Sequence, residues 1–305
     1  MKFKNFLLSL VLLFFSASVF SQSKLDQFLT PSDSLNVQKR NIVIVSEAVV
    51  SLSTLSCLSV LWYNNYPKSN FHFINDNTEW LQMDKGGHLF SSYHIGRFGN
   101  EALRWSGVSN KNQLVYGATL GFLFLSAVEV LDGYSSNWGA STGDIAGNAL
   151  GTTLFVSQEL LWKEQRIIPK FSFHNTIYAS VRPTTFGSSY QEQIIKDYNG
   201  QTYWLSFNLN SFTKSTRIPK WINIALGYGA EGMITGNEAF VNTIFLPESK
   251  RYRQFYLSLD MDLTKINTKS HFLKTFLSIV NTLKIPAPTF EINSVGDMKF
   301  HYLYF

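Results

Sequence analysis

The sequence contains little cysteine and little charge. Its 305 residues include one cysteine, Cys57, and Asp, Glu, Lys and Arg together make up 15% of the chain. A single cysteine excludes an internal disulfide bond in an exported protein. No cysteine lies directly after the apolar N-terminal run, so we expect no lipid anchor there. The lysines and arginines form no cluster, so we expect no nucleic acid as a partner.

Aromatic residues are abundant at 15%, a balance typical of membrane interfaces and lipid-facing strands. The N-terminus predicts a secretory signal peptide over residues 1–21, because two lysines precede a short apolar run, Leu7–Phe15, and small residues follow it. We expect cleavage before Gln22 and a polar lead-in over residues 22–40. An uncleaved anchor helix is the alternative, although the apolar run is short for a spanning helix.

Residues 41–168 predict a helical region of moderate hydrophobicity. Its four segments are Asn41–Tyr63, Asp84–Trp105, Asn112–Leu131 and Gly143–Trp162. The first is long enough to span a bilayer as a helix, but serine, glycine and glutamate dilute all four. Helices of this kind can pass through the inner membrane during export and bury themselves elsewhere.

Residues 169–305 predict an antiparallel β region, because the hydrophobic period changes from helical to two. The predicted strands are Phe171–Val181, Thr202–Asn210, Trp221–Ile234, Arg251–Thr264 and Thr289–Phe305. The alternation fits a periplasmic sheet with one wet face, or an outer-membrane barrel that is apolar outside and polar within. The C-terminal Phe305 resembles the assembly signal of outer-membrane barrels, whereas five or six strands are fewer than the roughly eight of a closed membrane barrel. An amphipathic helix is expected near residues 270–285.

The predicted fold class is therefore α+β and membrane-associated. A four-helix region with a polar core is followed by an antiparallel β region that forms a partial or closed outer-membrane barrel. We expect the cell envelope as the location. The outer membrane is favoured, and the periplasmic face or the inner membrane is the alternative.

Ionisable groups recur within the apolar helical segments. The predicted polar constellation consists of Asp84, Lys85, His88, His94, Glu129, Asp132, Ser141, Asp144 and Asn148. Helical spacing places Asp84 and His88 on one face, and it does the same for Asp144 and Asn148. Charged groups in apolar helices are costly unless they pair with one another or line a functional site. We expect the constellation to converge where three helices meet.

This constellation allows three interpretations. Its members can pair with one another and fix the register of the helices. They can hold Zn²⁺ or another divalent metal, with His88, Asp84, Glu129 and Asp144 as ligands. They can also catalyse, with His88 as a base oriented by one of these three carboxylates. Four serines lie nearby as candidate nucleophiles, and no arrangement singles one out: Ser91, Ser92, Ser135 and Ser141.

Three stretches carry a family resemblance: DKGGHLFSSYHIGR, then EVLDG, then WGASTGDIAGNALG. In this order they resemble the YfiM-like envelope proteins of unknown function, over Asp84–Gly151. VanZ-like membrane proteins are similar more distantly, but the arginine that they place before Asp144 is missing, and Ala140–Thr142 stands there. The resemblance implies a shared helical constellation in the cell envelope and supplies no reaction.

The leading functional hypothesis is a structural or accessory role in envelope machinery for assembly, secretion or transport. Membrane lipid and an outer-membrane protein complex are the expected partners. The alternative is an enzyme that acts on lipid or lipid-linked glycan through His88 and its carboxylates, with or without a divalent metal.

Overall fold

The computed structural model describes residues 24–61, 63, 66–237 and 250–305. The predicted signal peptide, residues 1–21, lies outside the described residues. The described part is a mixed α+β structure in which long helices precede a six-stranded antiparallel sheet.

The helical part contains α1 to α5. They are α1 (Lys24–Leu29), α2 (Val37–Leu61), α3 (Met83–Trp105), α4 (Leu120–Gly133) and α5 (Thr142–Leu161). A π-helical segment, Gln113–Ala118, leads into α4. Two helical segments, Val37–Val60 and Asn110–Gly133, are long and apolar enough to cross a membrane, by length and composition alone.

Glycines let α3, α4 and α5 approach each other at backbone distance. A Cβ atom added at Gly121 would lie 2.0 Å from the Ser92 carbonyl oxygen, and one at Gly151 would lie 2.2 Å from that of Leu89. Any larger residue would push the helices apart, since small residues are what permit such contacts. This close packing sets α3 between α4 and α5 and brings their polar residues together.

The sheet is a meander in which each strand pairs with its neighbour in sequence. Its strands are β3 (Ile167–Phe173), β4 (Gln201–Asn208), β5 (Ile222–Glu231), β6 (Tyr252–Met261), β7 (Ala287–Asn293) and β8 (Met298–Tyr304). Two short strands, β1 (Phe73–Ile74) and β2 (Ala140–Ser141), pair separately in parallel within the helical part.

The six strands do not form a closed barrel, so of the two predicted forms, partial and closed, the closed barrel is wrong for the described residues. The sheet order β3-β4-β5-β6-β7-β8 leaves β3 and β8 unpaired with each other. The sheet is curled instead, and the chain before β7 returns to the free edge of β3. There the Phe171 amide donates to the Thr282 carbonyl at 3.0 Å, and the Lys284 amide donates to the Phe171 carbonyl at 2.9 Å.

The faces of this sheet are reversed relative to a soluble sheet. On β6, Phe255, Leu257 and Leu259 point outward and are 46%, 50% and 54% exposed, whereas the alternate residues Ser258 and Asp260 are buried. Strand β4 shows the pattern in part: Ser206 and Asn208 are buried and Leu205 is exposed, but Trp204 is also buried on the inner face. The predicted alternation, apolar outside and polar within, is therefore what the sheet shows.

Two predicted strand boundaries differ from the structure. The first predicted strand ends at Phe173, and Tyr178–Val181 is helical (α6), followed by α7 (Pro183–Phe186) and α8 (Tyr190–Lys196). The last predicted strand is two strands, because a turn at Ser294–Asp297 contains Gly296 with φ +98°, which glycine adopts readily. A further helix, α9 (Leu209–Thr213), follows β4, and the predicted amphipathic helix is α10 (His271–Val280).

Candidate functional site

Lys85 is the centre of a buried group of charges at the start of α3. Its Nζ atom lies 2.7 Å from Asp76 Oδ1, 2.8 Å from Asp84 Oδ2 and 3.1 Å from Asp144 Oδ1. Asp76 follows β1, Asp84 precedes Lys85 on α3, and Asp144 is in the first turn of α5. One ammonium group thus joins three segments of the chain through three carboxylates.

His88 lies one turn further along α3 and faces α4 and α5. Its Nδ1 atom lies 3.0 Å from Asn148 Oδ1. With the Asn148 amide in this orientation its oxygen accepts from Nδ1, which in a neutral imidazole places the lone pair on Nε2. Nε2 points toward two carboxylates, 3.7 Å from Glu129 Oε1 and 3.9 Å from Asp144 Oδ1. The imidazole is therefore oriented as a ligand or a base.

Ser141 fixes the carboxylates around these two side chains. Its amide donates to Glu129 Oε2 at 2.9 Å, and its hydroxyl donates to Asp76 Oδ1 at 2.6 Å. The same hydroxyl oxygen accepts from the Asp144 amide at 3.1 Å, which caps the N-terminus of α5. Ser141 thereby sets the direction of two carboxylates, those of Glu129 and Asp76, and caps the helix that carries the third, Asp144.

Ser141 also lies in the pentapeptide GASTG, residues 139–143, which has the G-x-S-x-G spacing of a nucleophile elbow. The hydroxyl hydrogen bonds to an aspartate and caps a helix, so the geometry gives this serine a structural role at the described site.

Burial and charge shift the protonation of the carboxylates in opposite directions. Burial raises the pKa of Asp84 to about 6, and the nearby charge of Asp144 adds to this effect. Burial would raise the pKa of Asp76 as well, but hydrogen bonds from Lys85 and Ser141 hold it below the usual value. Burial lowers the pKa of Lys85, yet its bonds to Asp76 and Asp84 outweigh this and raise it. Lys85 is thus a permanent cation of the site.

One predicted member of the constellation, His94, lies apart from this centre, and another, Asp132, lies at its edge. His94 is buried on another side of α3, where Nε2 contacts the Pro169 carbonyl oxygen at 2.7 Å. Burial lowers the pKa of His94, so it is a neutral packing residue. Asp132 accepts a hydrogen bond from the Tyr63 hydroxyl at 2.7 Å at the end of α4.

Asp76 and Tyr63 belong to the site and were missed in the sequence. Asp76 reaches Lys85 because β1 pairs with β2, and that pairing lies outside any helical period. Its only signal is a short polar run, NDNTE, immediately before α3. From here on, the polar cluster means Asp76, Asp84, Lys85, His88, Glu129, Asp132, Ser141, Asp144 and Asn148.

The polar cluster contains two groups of three side chains that can surround a cation. One is Asp76, Asp84 and Asp144, and the other is His88, Glu129 and Asp144; within each group the ligand atoms lie within 4.8 Å of one another. Asp144 belongs to both groups. The first group already surrounds the ammonium of Lys85.

Comparison with known proteins supports a bacterial envelope protein. Residues 72–159 match the model of a family described as predicted periplasmic lipoproteins (DUF2279). The match covers less than a third of the chain and includes the whole polar cluster. No curated protein and no solved structure matches the chain.

The family match supports a periplasmic location in the cell envelope and assigns no reaction. The family description includes a lipid anchor, whereas the one cysteine of this chain, Cys57, lies within α2 and outside the matched residues. The resemblance to YfiM-like and VanZ-like proteins is not shown by these comparisons and stays a prediction.

Proposed function

We propose that this chain is an integral protein of the outer membrane with a structural or accessory role in envelope machinery. Its apolar outer faces contact lipid, and the polar cluster holds its helices together. The observation that carries this proposal is the reversed sheet, whose apolar side chains face outward on successive strands around a polar interior. Apolar side chains outside and polar side chains within are the alternation that lipid-facing β strands show.

The helices also expose apolar side chains. On α2, Val45, Val50 and Leu52 are each at least 60% exposed. Soluble monomers rarely expose contiguous apolar patches larger than a few hundred Å². Lipid is therefore the partner that best accounts for exposed apolar side chains on both the helices and the sheet.

The polar cluster suits a structural role because most of its bonds cross between segments. Lys85 joins the chain after β1 to α5, and Ser141 joins α4 to that same chain. Such a network fixes the register of close-packed helices. A rigid helical body beside a curled sheet is suited to holding a partner in place within the envelope.

Density separation of inner and outer membranes, with detection of the mature chain in each fraction, tests the location. We expect the chain in the outer-membrane fraction, resistant to carbonate extraction. Recovery in the inner membrane or in the soluble periplasmic fraction would contradict the proposal.

Cysteine labelling tests the orientation of the sheet. In a Cys57→Ser background, a Leu257→Cys variant should resist a water-soluble maleimide in intact membranes, because its side chain faces lipid. The matched control is Asp297→Cys in the exposed β7–β8 turn, which should react readily. Equal labelling of the two variants would show that this face of the sheet is wet.

A second candidate function is an enzyme that acts on lipid or lipid-linked glycan. It is favoured by His88, whose free Nε2 is oriented by Asn148 and whose side chain is 21% exposed, far more than Glu129 at 3%. If the protein is an enzyme, the His88→Gln variant should lose its function in the cell while its abundance and membrane location stay normal. A scaffold should keep that function, and it should co-purify with a stoichiometric partner.

A further inference from the structure

We propose that His88, Glu129 and Asp144 bind one divalent transition-metal ion, with Zn²⁺ as the best match to their ligand atoms. This inference goes beyond the structural role above and does not depend on it. The chain would then carry a metal centre where α3, α4 and α5 meet, at the part of the helical body that the family match covers.

The distances between the three ligand atoms suit a metal better than direct hydrogen bonds. His88 Nε2 lies 3.7 Å from Glu129 Oε1 and 3.9 Å from Asp144 Oδ1, which is beyond hydrogen-bond distance. Two ligands each about 2.1 Å from a tetrahedral zinc ion are separated by about 3.4 Å. Side-chain rotations that shorten the two His88 distances by a few tenths of an ångström would bring those atom pairs to this separation.

Two of the three ligands are held by a second residue that leaves the metal-facing atom free. The Asn148 side-chain oxygen lies 3.0 Å from His88 Nδ1, on the side of the ring away from Nε2. The Ser141 amide binds Glu129 Oε2 and leaves Oε1 toward His88. Hydrogen bonds of this kind orient the ligands of metal sites.

Asp144 is shared by the two three-residue groups of the polar cluster. It is buried, and its Oδ1 atom accepts no hydrogen bond within the described residues. Its ion-pair partner is the ammonium of Lys85 at 3.1 Å, which Asp76 and Asp84 also share. An ammonium shared by three carboxylates compensates each of them only in part, and Asp144 Oδ1 also faces His88 Nε2 at 3.9 Å.

The two three-residue groups of the polar cluster differ in what fills them. Asp76, Asp84 and Asp144 surround Lys85 and so already have their cation. Among the described residues, Glu129 forms an ion pair with His88 alone, and His88 is a cation only when protonated. The polar cluster as a whole holds five carboxylates, Asp76, Asp84, Glu129, Asp132 and Asp144, and one lysine. A divalent ion between His88, Glu129 and Asp144 would offset this excess of negative charge.

The ligand types indicate the kind of metal. An imidazole nitrogen with two carboxylate oxygens is suited to zinc and related transition metals, whereas calcium and magnesium favour all-oxygen sites. The partial exposure of the His88 side chain, 21%, provides the route by which an ion reaches the buried carboxylates. Three protein ligands leave a coordination position open.

Zinc binding by the purified full chain tests this proposal. The protein in detergent is freed of metal with a chelator, dialysed against Zn²⁺, and analysed for metal content and for zinc affinity by competition with a chromogenic chelator. We expect one zinc per chain. Three variants, His88→Gln, Glu129→Gln and Asp144→Asn, should each lose at least tenfold in affinity, since each removes a ligand while keeping side-chain volume.

Asp84→Asn is the matched control, because it removes a charge from the same polar cluster without removing a ligand. It should keep one zinc per chain and lose less than threefold in affinity. Membrane location and thermal unfolding of the metal-free protein are recorded for every variant, so that loss of fold is distinguished from loss of a ligand. If a ligand variant fails to fold, the Asn148→Ala variant replaces it, with an expected loss of about tenfold in affinity.

Three results would overturn the proposal. The first is less than one tenth of a zinc per wild-type chain after dialysis. The second is unchanged zinc affinity in the ligand variants, and the third is an equal loss in Asp84→Asn and His88→Gln, which would indicate adventitious binding to the acidic surface. None of these results bears on the outer-membrane location, which membrane fractionation tests separately.

Discussion

The helical part and the sheet of this protein both bury charges, but they compensate them differently. Inside the sheet, Lys170 and Lys284 are fully buried together with Asp260. Lys170 Nζ lies 2.8 Å from Asp260 Oδ2 and bonds to the Met261 carbonyl at 2.5 Å. Lys284 Nζ lies 3.9 Å from Asp260 Oδ1 and donates to the carbonyls of Leu259 and Ile285 at 2.7 Å and 2.6 Å.

Asp260 is equally well bound in return. Its Oδ2 accepts from the Ser206 hydroxyl at 2.6 Å, and its Oδ1 accepts from the Ile285 amide at 3.1 Å. Every charged atom of this trio thus has a partner, and the network joins β3, β4, β6 and the chain before β7. Such complete pairing is typical of a group whose role is to fix structure.

The polar cluster of the helices is different because it holds several carboxylates for one lysine. In addition, His88 Nε2 faces both Glu129 Oε1 and Asp144 Oδ1 at distances too long for hydrogen bonds. Buried charges without enough counter-charge are costly and persist mainly at functional sites. The charges of Lys170, Lys284 and Asp260 in the sheet are therefore fully paired, as in a structural network, whereas those of the polar cluster in the helices are not.

Removing the shared aspartate of the sheet should have the largest effect. In Asp260→Asn, two fully buried lysines lose their counter-charge, and breaking a buried pair in this way costs about 3–5 kcal/mol. Urea unfolding of the purified protein in detergent, followed by tryptophan fluorescence, measures the loss. Asp297→Asn in the exposed β7–β8 turn is the control and should change stability by less than about 0.5 kcal/mol.

Removing the lysine of the polar cluster should have the next largest effect. In Lys85→Met, three carboxylates lose their shared cation, and we expect a loss of about 3 kcal/mol in the free energy of unfolding, at the lower end for a broken buried pair because the site is partly open to water. The exposed Lys274→Met variant is the matched control. A loss no larger than that of the control would mean that the cluster is already compensated by some other cation.

The sequence predicts much of the polar cluster because helical spacing fixes it. Asp84 and His88 share a face of α3, and Asp144 and Asn148 share a face of α5, so their convergence needs only that these helices pack. His94 belongs to the predicted constellation by residue type, but its spacing predicts a different part of α3. It follows His88 by six residues, which turns it about 120° around the helix, and it therefore meets Pro169 of β3 instead.

The position of Asp76 and the curl of the sheet depend on contacts that leave no periodic pattern in the sequence. Asp76 is brought to Lys85 by the β1–β2 pairing, between segments more than sixty residues apart. The sheet curls because the chain after α10 pairs with Phe171, and side-chain alternation is the same in an open and a closed sheet. Alternation therefore predicts which side chains face inward, as for Ser258 and Asp260, and does not predict closure.

Separating the helices should weaken the polar cluster and spare the sheet network. In Gly151→Ala, the new methyl group would lie 2.2 Å from the Leu89 carbonyl oxygen of α3, and we expect a loss of about 2 kcal/mol from this overpacking. Urea unfolding measures it. Gly229→Ala on β5 is the control: its nearest neighbour, a ring atom of Tyr256, would be 3.3 Å away, so the loss should be smaller. Equal losses would contradict the backbone contact between α3 and α5.

The smallest effects are expected for two buried serines, Ser206 in the sheet and Ser92 in the helical part. Ser206 donates to the charged Asp260 and accepts from Asn223 at 2.8 Å, whereas Ser92 donates to the Asn148 carbonyl oxygen at 2.7 Å. Hydrogen bonds to charged groups contribute more, so Ser206→Ala should lose about 1.5 kcal/mol and Ser92→Ala about 1 kcal/mol. Urea unfolding of both variants measures the difference. A larger loss in Ser92→Ala than in Ser206→Ala would mean that another donor replaces the Ser206 hydroxyl at Asp260. The complete pairing of the sheet network would then not explain its rigidity.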